Sequence, residues 1–173
     1  MMPGASTEER GRTAASASAE LAAFIAKYSP AIAREGRAAL AKLRRLIPGA
    51  SELVYDNFNW LVVGFGPSER ASEAVISLVF TPRWLTLCFL QNGPELPDPQ
   101  KLLRGSGRVV RSTRLGGAAD LDRPAIRALI RAALKRADVP IRRGGARRLI
   151  IKSVSARQRS RRPRGTTPAR RLL

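Results

Sequence analysis

The spacing of the apolar residues changes at Pro48-Gly49, and this change constrains the fold more than any other feature of the sequence. Before this point, apolar side chains recur every three or four residues, as on one face of a helix: Leu21, Phe24, Ile25 and Tyr28. After it they alternate or form short β-branched runs, such as AVISLVF at 74–80, which are typical of strands. Helices followed by a block of strands predict an α+β domain.

Two further helices have clear boundaries. Ser29 is a favourable N-cap and Pro30 a favourable first helical residue, so a second helix is predicted from there to Pro48-Gly49. The segment DLDRPAIRALIRAALKRA, residues 120–137, predicts the last helix. Its acidic residues lie near the positive N-terminal end, its basic residues lie near the C-terminal end, and Pro140 follows.

The middle of the chain predicts about five strands. Residues 53–65 (LVYDNFNWLVVGF) predict two strands around a polar turn near Asp56-Asn57, and residues 74–80, 84–90 and 108–115 predict one strand each. The short links between them favour antiparallel pairing. We therefore predict two N-terminal helices, a curved and mainly antiparallel sheet of about five strands, and a C-terminal helix packed on one face.

These patterns divide the chain into three regions. Residues 1–16 are small and polar without an apolar period and are expected to be disordered, whereas residues 17–140 form the α+β domain. Residues 141–173 form a basic tail, with an apolar strand-like run at 148–154 and disorder elsewhere. The predicted core consists of Phe24, Ile25, Leu43, Ile47, Leu78, Leu87, Phe89, Leu129 and Ile130.

The residue types that are missing exclude several kinds of chemistry. The chain has no His and one Cys, which excludes His-based nucleophile pairs and His- or Cys-rich metal sites. We predict no catalytic residues, no metal site and no cofactor. Cys88 alternates with Thr86 and Leu90 in an apolar strand, so it is expected to be a buried structural residue. A lone Cys and the lack of a run of about 18 apolar residues predict a cytoplasmic protein without a membrane span.

The positive charge is concentrated near the C-terminus. Of the formal net charge of +19, residues 141–173 contribute +12, because they hold 12 Lys and Arg and no acid. This tail could neutralise phosphates of DNA or RNA through Arg157, Arg159, Arg161, Arg162 and Arg164, with Arg170 and Arg171 beyond them. The tail has no aromatic residue for base stacking, so such binding would lack sequence preference. The alternative is a solvated tail without a role.

The first candidate ligand site is the bend that ends at Trp60. Polar groups beside aromatic rings could line a pocket at the sheet edge, and the candidate residues are Tyr55, Asp56, Asn57 and Asn59. The alternative is a hairpin turn, in which Asp56 and Asn57 serve turn geometry and the aromatic residues belong to the core.

The second candidate site is a glycine-containing strand entry with nearby arginines. Glycines let backbone N–H groups converge on an anion and arginine supplies a bidentate fork, so a phosphate or carboxylate could bind. The candidate residues are Gly105, Ser106, Gly107, Arg108 and Arg111, with Arg114 beyond them. Their spacing matches neither GxxxxGK[ST] nor GxGxxG. The alternative is an ordinary strand entry with solvated arginines.

Four stretches resemble the YdhG-like domain family: ELVYDNFNWLVVGFGPSERASEAVISL, PRWLTLCFLQNGPELPDP, LLRGSGRVVRSTRL and DLDRPAIRALI. They occur in this order within residues 20–137. The resemblance implies an α+β fold and a family that is mostly described as a domain of unknown function. One distant branch is described as a frataxin-like intracellular iron chaperone, a role that is usually pictured on an acidic surface, whereas this chain is basic.

The expectation for function is a non-enzymatic binding module. Its ligand would be a small anion or a protein partner near the Tyr55–Asn59 bend and the Gly105–Arg111 strand entry. The alternatives are a nonspecific nucleic-acid accessory protein that acts through its Arg-rich tail, and a frataxin-like iron chaperone.

Overall fold

The computed structural model describes residues 7–164, with side chains from residue 14 onward. It contains three α-helices: α1 (Thr7–Ala26), α2 (Pro30–Leu46) and α3 (Pro124–Lys135). It also contains six strands: β1 (Ser51–Asp56), β2 (Leu61–Gly66), β3 (Ile76–Phe80), β4 (Leu85–Phe89), β5 (Arg111–Leu115) and β6 (Leu149–Val154). Helices and strands in these positions confirm the predicted α+β class.

All six strands belong to one sheet. Their order is β5-β4-β3-β2-β1-β6, and the first five pair antiparallel with their neighbours. The last strand, β6, pairs parallel with β1. It arises from the apolar run at 148–154 in the basic tail, so the sheet has one strand more than the central segments alone predict. The tail therefore contributes an edge strand to the domain.

The helices cover one face of the sheet, and the core lies between. All nine residues of the predicted core are buried, which confirms their assignment. Full burial of a side chain such as Leu43 stabilises a fold by about 1.5–3 kcal/mol. A Cβ atom on Gly36 would lie 2.0 Å from the ring of Phe80, so this glycine lets α2 approach β3 closely.

Helix α1 begins earlier than the sequence pattern predicts. Residues 7–16, for which the sequence predicted disorder, belong to this helix, and residues 1–6 lie outside the described part of the chain. The segment is rich in Ala, the best helix former, and a helix of small residues shows no apolar stripe. Between residues 7 and 164, no helix combines the length and the apolar character that crossing a membrane requires.

After β6, the tail remains hydrogen-bonded to the domain. The backbone N–H of Ser155 donates to the carbonyl of Asp56 at 2.9 Å, and that of Arg159 donates to the carbonyl of Phe58 at 2.8 Å. Arg161 is only 4% exposed. Residues 155–161, for which the sequence predicted disorder, thus contact the domain in the structure, and residues 165–173, with Arg170 and Arg171, lie outside the described residues.

Candidate anion-binding site

Strand β1 places two acids on the face of the sheet that the helices cover. Glu52, Val54 and Asp56 alternate along the strand, so their side chains lie on the same face. Val54 belongs to the hydrophobic core, and both acids are buried beside it. A carboxylate in such a place must be paired and hydrogen-bonded, because an isolated buried charge is strongly destabilising.

At the C-terminal end of β1, Asp56 lies between two cations. Lys27 Nζ approaches Asp56 Oδ2 at 2.6 Å, and Arg161 Nη2 approaches Asp56 Oδ1 at 2.8 Å. The same Arg161 nitrogen donates to the carbonyl of Asn57 at 2.5 Å, and Arg161 Nη1 donates to that of Phe58 at 3.5 Å. We call Lys27, Asp56 and Arg161 the Asp56 cluster. It ties the end of α1 and the tail to the turn between β1 and β2.

Further contacts hold the tail over this turn. The amide of Gln158 donates to the carbonyl of Asp56 at 3.1 Å and accepts from Lys27 Nζ at 2.9 Å. The Arg159 guanidinium lies over the ring of Phe58, 5.5 Å from its centroid. The polar groups at the bend are thus bound by the protein's own tail.

The polar residues of the bend do not converge on one surface. Tyr55 lies on the opposite face of β1 from Asp56, and Asn57 Oδ1 accepts a hydrogen bond from Ser153 Oγ at 3.3 Å. Asn59 is half-buried in the turn. The Tyr55 hydroxyl is buried without a hydrogen-bond partner among the described residues, and burial raises its pKa.

A second buried acid lies at the other end of β1. Arg44, in the last turn of α2, binds Glu52 with both Nε and Nη2, at 3.0 and 2.8 Å from Oε1. Arg147 Nη2 lies 3.1 Å from Glu52 Oε2. We call Arg44, Glu52 and Arg147 the Glu52 cluster. Sequence reasoning missed it, although an acid two residues before the buried Val54 is a signal for a paired carboxylate on the core face.

In the Gly105–Arg111 strand entry, an arginine side chain is hydrogen-bonded to carbonyls of its own loop. Arg111 Nη1 donates to the carbonyls of Gly107 and Val110, at 2.5 and 2.8 Å, so this guanidinium ties its own loop together. Gly105 has a φ of 125°, a conformation that favours glycine. Ser106 and Arg108 are exposed. The arrangement is that of a glycine-containing strand entry rather than of a preformed anion cradle.

The two candidate sites from the sequence do not come together. Four strand spacings separate β1 from β5, or about 19 Å across the sheet. They also lie at opposite ends, because the bend follows Asp56 at the end where Phe80 pairs with Leu85, whereas Arg111 pairs with Phe89 at the other end. One ligand of small size cannot contact both sites.

A different site is formed where the tail meets the turn between β3 and β4. An open cleft of about 560 Å³ lies between Pro82 and the tail. Four arginines and no acid line it, and we call it the arginine cleft: Arg83, Arg159, Arg162 and Arg164. Among the described side chains, from residue 14 to residue 164, none of the four forms an ion pair. This surface can bind an anion without first breaking a salt bridge.

Two exposed aromatic rings belong to the hairpin turn that the tail crosses. Phe58, which contacts Arg159, is 47% exposed, and Trp60 at the same turn is 41% exposed. On β5, the Arg114 guanidinium lies 4.1 Å from the centroid of the Trp84 ring. The aromatic groups that the tail lacks are thus supplied by the hairpin turns next to it.

The remaining tail arginine and the single cysteine do not line the cleft. Arg157 is exposed between β6 and Gln158. Cys88 is half-buried in β4, and burial raises the pKa of its thiol, which disfavours the reactive thiolate. Within the part of the chain with described side chains, no group of three or more Cys, Asp or Glu residues is placed to hold a metal ion.

Comparisons with known proteins find no match to this chain among protein-family models, curated proteins or solved structures.

Proposed function

We propose that the protein is a non-enzymatic binding module for a phosphate-bearing anion, and that the anion binds in the arginine cleft. The observation that carries this proposal is the convergence of four arginines on one cleft that contains no acid. Guanidinium groups form charge-assisted and often bidentate hydrogen bonds to phosphate oxygens. A cleft of this volume can hold one or a few phosphate groups and remains open to solvent.

A second cleft on the same molecule supports this choice by contrast. It has a volume of about 480 Å³ and also contains arginines, Arg70 and Arg148. There, however, Arg70 pairs with Glu73 and Arg148 pairs with Glu69. The positive charge of that cleft is largely neutralised within the protein, whereas the four arginines of the arginine cleft pair with no carboxylate among residues 14–164.

The Asp56 cluster gives the arginine cleft its shape. Because Asp56 binds Arg161, the neighbouring residues of the tail are held against the turn between β3 and β4. Arg162 in addition donates from Nε to the carbonyl of Lys27 at 3.4 Å. The proposal therefore assigns Arg161 a structural role and assigns the exposed arginines on either side of it to the ligand.

Two other roles are also proposed for the protein, each with less structural support. A protein partner with an acidic surface would use the same cleft. A cytoplasmic location is also proposed, and a lone half-buried cysteine is compatible with it. An iron-chaperone role has less support, because the carboxylates of Asp56 and Glu52 are each bound by two cations of the protein. A hard metal ion needs oxygen ligands without such competitors.

The proposal is tested by titrating the full-length protein with inorganic polyphosphate in a calorimeter. The double variant Arg83→Gln/Arg164→Gln removes two charges whose side chains make no hydrogen bond within residues 14–164, so the tail should stay in place. Its affinity should fall by about a hundredfold or more, the loss expected for two hydrogen bonds to a charged group.

The matched control is Arg123→Gln/Arg131→Gln, which removes the same charge from exposed positions at the start and middle of α3. The control should bind polyphosphate like the unaltered protein, and binding should weaken with added salt. Equal loss in both double variants would show unspecific charge attraction. Loss in Arg108→Gln/Arg111→Gln, with the cleft variant unaffected, would move the site to the Gly105–Arg111 strand entry. Either result would overturn the proposal.

A further inference from the structure

We infer that the anion is a single-stranded nucleic acid, whose phosphates bind in the arginine cleft while its bases stack on the exposed rings of Phe58 and Trp60. The inference rests on the proposed function and adds the class of ligand. The observation behind it is that one exposed ring, that of Phe58, contacts an arginine of the cleft, and that a second exposed ring, that of Trp60, belongs to the same turn. Such a pairing of charge and stacking surface is what sequence-tolerant single-strand binding requires.

The turn that carries the two rings lies next to the cleft. Arg159 lines the cleft, its guanidinium lies over the ring of Phe58, and its backbone N–H donates to the Phe58 carbonyl. The turn that carries Trp60 leads directly into Leu61, which pairs with Phe80, the last residue before the turn that holds Arg83. The two hairpin turns are therefore neighbours at one end of the sheet, with the tail across them.

The exposure of these rings stands out against the other aromatic side chains. The remaining phenylalanines and Tyr28 are buried in the core. A large apolar ring left in water forgoes the free energy of burial, and exposed aromatic surface beside polar groups is typical of interaction sites. With Arg159 over Phe58 on one side, a nucleobase can stack on the surface that remains open.

A single strand fits this surface better than a duplex. In a duplex the base faces are covered by their neighbours, so its binding would depend on phosphate contacts alone. Unpaired bases can turn outward and stack on protein rings. The cleft is lined mainly by arginines, which contact phosphates, so we expect little preference among sequences.

The test compares two ligands that share phosphates and differ in bases. One is a labelled oligothymidylate about 12 nucleotides long, within the usual range of single-strand site sizes. The other is inorganic polyphosphate. Phe58→Leu and Trp60→Leu keep apolar bulk but remove the ring. Each should weaken oligothymidylate binding roughly tenfold and leave polyphosphate binding unchanged, since the loss of one stacked base has about that effect.

A second measurement does not depend on how well these variants fold. The chain has two tryptophans, so in Trp84→Phe the fluorescence reports on Trp60 alone. Oligothymidylate should quench this fluorescence, whereas polyphosphate, which has no bases, should leave it unchanged. Quenching by the oligonucleotide together with ring-dependent affinity would support the inference.

Two results would overturn the inference in different ways. If both ligands bind, Trp60 fluorescence does not change and the leucine variants bind normally, the bases do not stack and the site recognises phosphate only. The proposed function would then stand without its nucleic-acid ligand. If neither ligand binds the full-length protein at moderate salt, the proposed function fails as well. Tighter binding of a duplex that is insensitive to Phe58→Leu and Trp60→Leu would also contradict the stacking.

Discussion

The two ends of β1 differ in how far the cations that bind their buried acids are exposed to solvent. Each end carries a buried acid on the core face, and each acid is bound by one cation from the helical layer and one from the tail. In the Asp56 cluster, the tail cation Arg161 has a side chain only 3% exposed. In the Glu52 cluster, the side chain of the tail cation Arg147 is 50% exposed.

This difference in exposure separates a cluster in which the acid and the tail cation are both buried from one in which the tail cation faces water. A cation that faces water stays solvated when its partner is removed, whereas a buried cation without its partner is a charge that the interior cannot solvate. The two clusters also bracket β6, since Arg147 precedes the strand and Arg161 follows it. We conclude that the tail is held mainly at its far end, next to the arginine cleft.

The largest expected effect comes from removing the acids themselves. Asp56→Ala leaves Arg161 buried without a carboxylate, and the free energy of unfolding should fall by about 3–5 kcal/mol. Glu52→Ala should lower it by about 1–2 kcal/mol, because Arg44 and Arg147 can turn toward water. Urea unfolding of both variants measures the two values. Equal losses, or a larger loss for Glu52→Ala, would contradict the distinction between the clusters.

A smaller effect is expected beside the Glu52 cluster. The hydrogen bond from Arg148, 2.6 Å from the carboxylate, holds the pKa of Glu69 below its ordinary value of 4.5. A lowered pKa means that the pair contributes to stability above pH 4.5, and that this contribution is lost as the pH falls through the lowered value.

Arg148→Gln should therefore return the pKa of Glu69 toward 4.5, with little change in melting temperature at neutral pH because both groups are exposed. Titration of the Glu69 carboxyl by NMR, with Arg131→Gln on α3 as a control that removes a charge elsewhere, measures the shift. A pKa that does not move would show that Arg148 does not hold the carboxylate in solution.

The fold was largely predictable because its signals are local. The apolar spacing predicted the second and third helices and the central strands, and the predicted core residues are buried. Helix α1 was placed too late, since Ala-rich segments form helices without an apolar stripe. The apolar run at 148–154 indicated a strand, but its parallel partner β1 lies almost a hundred residues earlier, and no local pattern identifies it.

The site was less predictable because it depends on contacts between distant residues. The sequence around Asp56 is typical of a turn, and the sequence around Arg161 is typical of a solvated tail. Only the fold brings the two residues together. Neither the composition of the tail nor the spacing of its residues predicts which of several neighbouring arginines is buried. The arginine cleft likewise joins Arg83 in a hairpin turn with a tail that sequence analysis expected to be disordered. The sequence analysis expected the aromatic rings of the bend to line a pocket or to belong to the core, and it did not predict that Phe58 and Trp60 are exposed.

The central claim is that Arg161 fixes the tail over the bend and so forms the arginine cleft. Amide hydrogen exchange at Ser155 and Arg159 tests it most directly, because these N–H groups donate to the carbonyls of Asp56 and Phe58. Both amides should exchange at least about tenfold more slowly than the unprotected amide of an exposed glycine. Arg161→Leu should abolish that protection, and the matched variant Arg147→Leu should preserve it. Fast exchange at both amides in the unaltered protein would contradict the account.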